Sequence, residues 1–242
     1  MNHGVLLELG LFPLHILAKK RAIKNWGRMA TNSKCSTVLQ NSYKFSIYHS
    51  LQWTDSMKCM LSEIGLMESF TNNDSDAHLK AFQRFQDIYH QTTLEGIKSV
   101  ESRLRTYALF KTSPGFEKYL DEISGIKNRT ALTKFRISNH RLMIEKGRHS
   151  KPKVPKELRF CHFCPNSVED EKHFLLVCPT YKYIRSDLYS EAKKVFSKIT
   201  NQPRDYRFLQ LMSDVTAPSV SQFISRAMEL REFLLSKNKM HG

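Results

Sequence analysis

The sequence predicts a mainly α-helical protein, a bundle-like helical body carrying one small hairpin-and-helix module. Three observations predict it. Apolar residues recur at three- or four-residue steps, most clearly in Leu79, Phe82, Phe85, Tyr89, Leu94, Ile97, Val100, Leu104 and Tyr107, the period of a helix with one buried face. At 242 residues the chain buries a core without covalent staples. Three of its five cysteines and two of its ten histidines fall within residues 161–178, "CHFCPNSVEDEKHFLLVC", and a local concentration of this kind marks a small separately stabilised unit.

The elements follow in order. In "FPLHILAKKRAIKNWGRM", Leu14, Leu17, Ile23 and Trp26 form the apolar face of a first helix, with Pro13 in its first turn and Lys19, Lys20, Lys24 and Arg28 between them. A second helix spans 54–64, capped by Thr54 or Asp55 and stopped by Gly65. A long helical stretch spans about 74–111, with a potential break at "TTLEG", and ends at "SPGF". After a short helix at 116–123, "KNRTALTKFRISNHRLMIEKG" reads as one more, with Leu132, Phe135 and Ile137 inward and Lys134, Arg136 and Arg141 outward. "GRHSKPKVPKEL" is an extended basic connector, because Pro152 and Pro155 remove donors and push their predecessors out of the α region. Helices at 181–198, 204–213 and 218–236 complete the chain, the last with Phe223, Ala227, Leu230 and Leu234 on one face.

Five cysteines, an odd number, three of them at metal-type spacing and with no secretory signal, argue against a secreted disulfide framework, and the expected location is reducing and intracellular, nuclear or cytoplasmic. The first apolar run holds Glu8, Pro13 and His15 and is too short to span a bilayer, so no membrane role is expected. Cys35 and Cys59 read as buried small hydrophobes, and His140 and His149 as surface or capping histidines.

Zinc takes four tetrahedral ligands from thiolate and imidazole. Cys161, Cys164, His173 and Cys178 have the spacing C-x2-C-x8-H-x4-C, with no coordination position left open, which describes a structural Zn2+ site. A hairpin turning at Pro165 and Asn166 and a short helix capped by Ser167 or Asp170 present the ligands, with Phe174, Leu175 and Val177 as local core. The alternatives are a redox pair at Cys161 and Cys164, inert buried thiols, or His162 as substitute ligand.

Formal net charge is +15, which predicts an acidic partner. The surplus concentrates between 127 and 159, where eleven cations (Lys127, Arg129, Lys134, Arg136, Arg141, Lys146, Arg148, Lys151, Lys153, Lys156, Arg159) face only Glu145 and Glu157. Residues 50–104 hold five basic and eight acidic side chains. The block directly precedes the Cys/His cluster, and Phe160, Phe163 or Tyr181 are candidates to stack on bases while the cations hold phosphates.

"LTKFRISNHRLMIEKGRH", the Pro/Lys connector and "CHFC…VEDEKHFLLVCPTYKYIR" together resemble the C-terminal region of LINE-type non-LTR retrotransposon polyproteins, downstream of the reverse transcriptase domain. "ELGLFPLHILAKKRAIKNWGRM" resembles the segment just after that domain, with Leu11 where the family carries Arg or another polar residue. The resemblance covers the start and roughly residues 130–186. It implies a helical post-polymerase region over 1–150, a basic connector and zinc-knuckle-like module over 151–185, C-terminal helices over 186–242, and a grip on RNA or DNA. Neither a polymerase aspartate turn nor an endonuclease set occurs, so the expectation is a non-catalytic nucleic-acid-binding tail without its polymerase and without a small-molecule substrate. A zinc-stabilised protein–protein interaction scaffold is the rival expectation; it predicts salt-insensitive binding.

Overall fold

The computed structural model describes residues 3–31, 36–72, 74, 76–99 and 102–240; Cys35 and Val100 lie outside them. The chain is mainly helical, as expected, with a small hairpin. In order it forms α1 (His3–Glu8), α2 (Leu14–Thr31), α3 (Thr37–Tyr48), α4 (Gln52–Glu63), α5 (Met67–Thr71), α6 (Ala77–Lys98), α7 (Tyr119–Glu122), α8 (Ile126–Arg136) and α9 (Met143–His149). Strands β1 (Phe160–Cys161) and β2 (Cys164–Val168) follow, then α10 (Lys182–Val195), α11 (Arg204–Leu211) and α12 (Ala217–Met240). Among the described residues no helix is long and apolar enough to cross a membrane.

Two compact units emerge: residues 10–95, and residues 1–9 joined with 96–242. The sequence-expected bounds at 150 and 185 both fall inside the second of these.

The 10–95 unit closes around Ile16, Ile23, Trp26, Tyr43, Met57, Leu61, Phe70, Ala81 and Phe85. Leu14 and Leu17, expected on the buried face of α2, are 80% and 43% exposed, and Ile16 takes that face with Ile23 and Trp26. Thr54 does not cap α4; its hydroxyl donates to the Ser46 carbonyl at 3.0 Å and ties α4 to the end of α3. Gly65, at φ 66, ends α4 as expected, and the Leu66 N–H then returns to the Leu61 carbonyl. The interior stripe of α6 runs at four-residue steps through Ala77, Ala81, Phe85, Tyr89 and Thr93, while Leu79 is exposed. That helix passes through "TTLEG" unbroken and stops at Lys98, short of the expected 111; Leu104 and Tyr107 are still buried, but in turns. Cys59, expected inside, is exposed.

Trp26 Nε1 donates to the Tyr43 hydroxyl at 2.9 Å inside this core. Tyr43→Phe leaves that indole N–H buried without a partner and is expected to destabilise the unit by about 1–2 kcal/mol. Both tryptophans, Trp26 and Trp53, lie in this unit, so denaturant unfolding followed by tryptophan fluorescence reads it alone.

In the other unit α8 and α10 pack on α12. Phe174 stands between Phe135 of α8 and Phe223 of α12, with ring centroids 5.8 and 5.7 Å away, and such pairs add about 0.5–1.5 kcal/mol each beyond their buried area. The segment read as one helix over 127–147 is two. Ser138, at φ 53, ends α8, and the Asn139 N–H closes back on the Lys134 carbonyl at 2.7 Å, a Schellman closure built on serine instead of glycine. Arg136 therefore turns inward, not outward. Buried at 4% exposure, it meets Glu8 at 3.1 Å, Glu117, and the Met212 carbonyl. Burial alone would lower its pKa, but Glu8 and Glu117 override this and hold it raised. The Glu8 carboxylate also accepts from the Tyr119 hydroxyl, so this glutamate ties α1 to α7 and α8, beside the buried Leu7.

Candidate metal centre

The connector reaches the hairpin through Arg159, which is buried and donates to the Val154 and Ile144 carbonyls. Its side chain fastens the connector to α9 and cannot also hold a phosphate. In the hairpin Phe160 faces Val168 and Cys161 faces Cys164. His162 and Phe163 thus make the turn, in place of the expected Pro165 and Asn166. Those two sit within β2, where Asn166, at φ 60, absorbs the register shift opposite β1; asparagine tolerates this region better than most residues. The tight turn sets Cys161 and Cys164 side by side and leaves His162 exposed, outside the cluster.

After β2 the Asp170 carboxylate accepts the His173 N–H at 2.6 Å, so Asp170, not Ser167, caps the next turn. That turn is a π-helix over His173–Val177, closed by the Cys178 N–H on the His173 carbonyl at 2.8 Å. The widening has a purpose at this spacing. Five residues apart on an α-helix, His173 and Cys178 would lie roughly 140° apart around the axis, whereas an i→i+5 turn brings them toward one side. Phe174, Leu175 and Leu176 fill the core behind it; Val177, expected there, is 47% exposed.

Cys161, Cys164, His173 and Cys178 converge: their ligand atoms all lie within 4.8 Å of one another, all four residues are buried, and together they could hold a metal ion. Cys178 Sγ is 3.6 Å from Cys164 Sγ and 4.0 Å from Cys161 Sγ. These contacts are far longer than a disulfide bond, and all three thiols are free. His173 Nε2 is buried with no hydrogen-bond partner. The Cys178 thiol is held far below the ordinary range, chiefly by the hydrogen bond with Cys161 and against its own burial. That same bond and burial push Cys161 up, and burial raises Cys164. Three buried sulfurs compete for one thiolate, an arrangement that a cation among them relieves.

Buried charges outside the motif hold the ligands in place. Arg185 of α10 donates to the Phe174, Leu175 and Cys178 carbonyls at 2.8–3.1 Å, satisfying the carbonyl end of the π turn. Glu169, directly after β2, accepts a two-pronged bond from Arg231 of α12 at 2.8 and 2.7 Å. It also accepts the Met143 N–H at 2.7 Å and has Cys161 Sγ 3.9 Å away. None of Arg185, Glu169 and Arg231 stood out in the sequence, since each is a charged residue amid others. Only Asp170, three positions before His173, carried a local signal.

The eleven cations of the basic block separate by environment. Lys127, Lys134, Arg141, Lys146, Lys151, Lys153 and Lys156 are exposed; Arg129 and Arg148 are half-buried, Arg129 on the Leu120 and Ile123 carbonyls and Arg148 beside Glu145. Arg136 and Arg159 belong to the interior. Of the aromatics expected to stack, Tyr181 is 1% exposed, covered by Phe174 and Phe163, and Phe160 is 37% exposed. Tyr183, at 87%, is the more open ring and was not singled out in the sequence. His140, expected as a surface or capping histidine, has a side chain only 3% exposed and lies 3.0 Å from Glu171. Glu171 is raised by its burial but brought down to about 2 by His140 and Arg105. Compared with protein-family models, curated proteins and solved structures, the chain finds no match.

Proposed function

We propose that the chain is a non-catalytic nucleic-acid-binding module, the zinc-stabilised tail of a retrotransposon-derived reverse transcriptase. The observation that carries the reading is a buried three-cysteine, one-histidine cluster preceded in the chain by a segment that exposes seven lysines and arginines. A tetrahedral zinc with Zn–S bonds near 2.3 Å places its sulfurs about 3.8 Å apart, which the 3.6 and 4.0 Å separations match. The unpartnered His173 Nε2 supplies the fourth donor. Three thiolates around Zn2+ leave one net negative charge, and Arg185 and Arg231, less Glu169, supply the offset. Zinc fixes the hairpin, and the exposed cations neutralise phosphates with little regard to sequence.

Purified protein is expected to carry one zinc per chain by elemental analysis and to bind labelled single-stranded RNA. If about five phosphates are engaged, affinity falls roughly 100-fold between 50 and 200 mM salt. A metal-free protein, or zinc without salt-dependent binding, overturns the reading. The second result favours an interaction scaffold, which the exposed Leu14, Val38, Tyr48 and Leu79 of the 10–95 unit would serve.

A further inference from the structure

Two concavities, of about 550 and 470 Å³, open along α12 and meet at Asn139, His140, Arg141 and Glu232, which line both. We propose that this double groove is where a single-stranded polynucleotide lies, its phosphodiester backbone running between Lys134 in one lobe and Lys146 in the other; the proposal deepens the nucleic-acid reading and rests on it.

The groove has the make-up such a strand needs. Arg103, Lys146 and His149 border one lobe and Lys127 and Lys134 the other. Apolar surface from Leu235 in the first, and from Ala131, Ile224 and Met228 in the second, offers base faces somewhere to rest. The acidic residues along it are already neutralised: Glu145 by Arg105 and Arg148, Glu229 by Lys127, Glu232 by Arg141. Lys134 and Lys146 have no carboxylate partner among the described residues, so they add net positive charge. At the junction the His140 ring is fixed from one side by Glu171 at 3.0 Å, while its Nδ1 is buried with no partner. The lining positions on α12 run from Ile224 to Ser236, roughly 18 Å of helix, which is the length of about five phosphates on a stacked strand.

The break after α8 creates this groove. Because Ser138 turns the chain, Asn139, His140 and Arg141 form a corner against α12 instead of another helical turn.

The test compares two double charge reversals of equal size in the full chain. Lys134→Glu with Lys146→Glu alters both lobes; Lys193→Glu with Lys198→Glu alters exposed positions outside the groove. Single-stranded RNA and DNA of about twelve nucleotides and a duplex of the same length serve as probes. The groove pair is expected to weaken single-strand binding by at least about tenfold and to reduce the salt slope by roughly 1.4, the share of two phosphates. The control pair changes affinity less than about twofold, and both keep the parent zinc content and melting curve. Equal losses from the two pairs, or a duplex that binds as tightly as the single strands, overturn the groove while leaving nucleic-acid binding intact. A parent protein that binds no polynucleotide removes the underlying reading as well.

Discussion

Removing the metal, or one of its ligands, is expected to unfold the module and the core that it completes. Cys161, Cys164, Phe174, Leu175, Leu176, Cys178 and Tyr181 belong to the same buried cluster as Phe135, Phe208 and Phe223, so the hairpin is no detachable appendage. A two-residue strand paired with a five-residue one does not hold itself together in water. The proposed zinc would make up the difference: at a thousandfold excess of free metal over Kd, binding contributes about 4 kcal/mol to the folded state. Excess chelator should therefore lower the melting temperature of the 96–242 unit and release one zinc per chain. Cys178→Ser should reproduce both effects, because Cys178 is the sulfur in contact with the two others. The 10–95 unit, read through its tryptophans, has its own core and is expected to keep its unfolding transition. An unchanged melting curve in chelator, with the protein containing no metal, would show instead three ordinary buried thiols.

The cluster was legible in the sequence because coordination is a local demand. Four ligands within eighteen residues must be spaced for one ion, and the spacing survives without knowledge of the rest of the fold. Most of the longer helices were legible for the same reason, their periods being local, although α3 was not read. What escaped was set at long range. Arg136 looks like any basic residue on a helix, and its burial follows from Glu8, 128 positions earlier. Arg159 is turned inward by carbonyls of α9, and Tyr181 by Phe174 and Phe163. The end of α8 escaped for a chemical reason: its left-handed residue is Ser138, and serine carries none of glycine's signal. In α6 small residues hid the interior, since Ala77 and Ala81 are fully buried where Leu79 was expected.

Glu169→Gln is expected to cost about 3–5 kcal/mol, the usual penalty for breaking a buried ion pair on one side. Glu169 and Arg231 are 1% and 2% exposed, so the arginine left behind has no water to turn to. Burial by itself would lower the Arg231 pKa, and the bond and charge of Glu169 reverse that; without them the helix carries an unmatched cation in its interior. The glutamate also anchors backbone: its N–H donates to the Arg159 carbonyl at 2.9 Å and its carbonyl accepts the Ile144 N–H at 3.1 Å. One residue thus joins the hairpin, α9 and α12, the three elements that set the metal centre against one wall of the groove. The double variant Glu169→Leu with Arg231→Leu should be substantially more stable than the sum of the single changes predicts, because it removes both charges together. If the pair also positions the groove, that double variant should retain zinc yet bind single-stranded RNA more weakly, since Arg231 lines the first lobe. Denaturant unfolding of the two single variants and the double one measures the coupling, and a Glu169→Gln cost below about 1 kcal/mol would place the pair among the weak surface bridges and sever the link drawn between centre and groove.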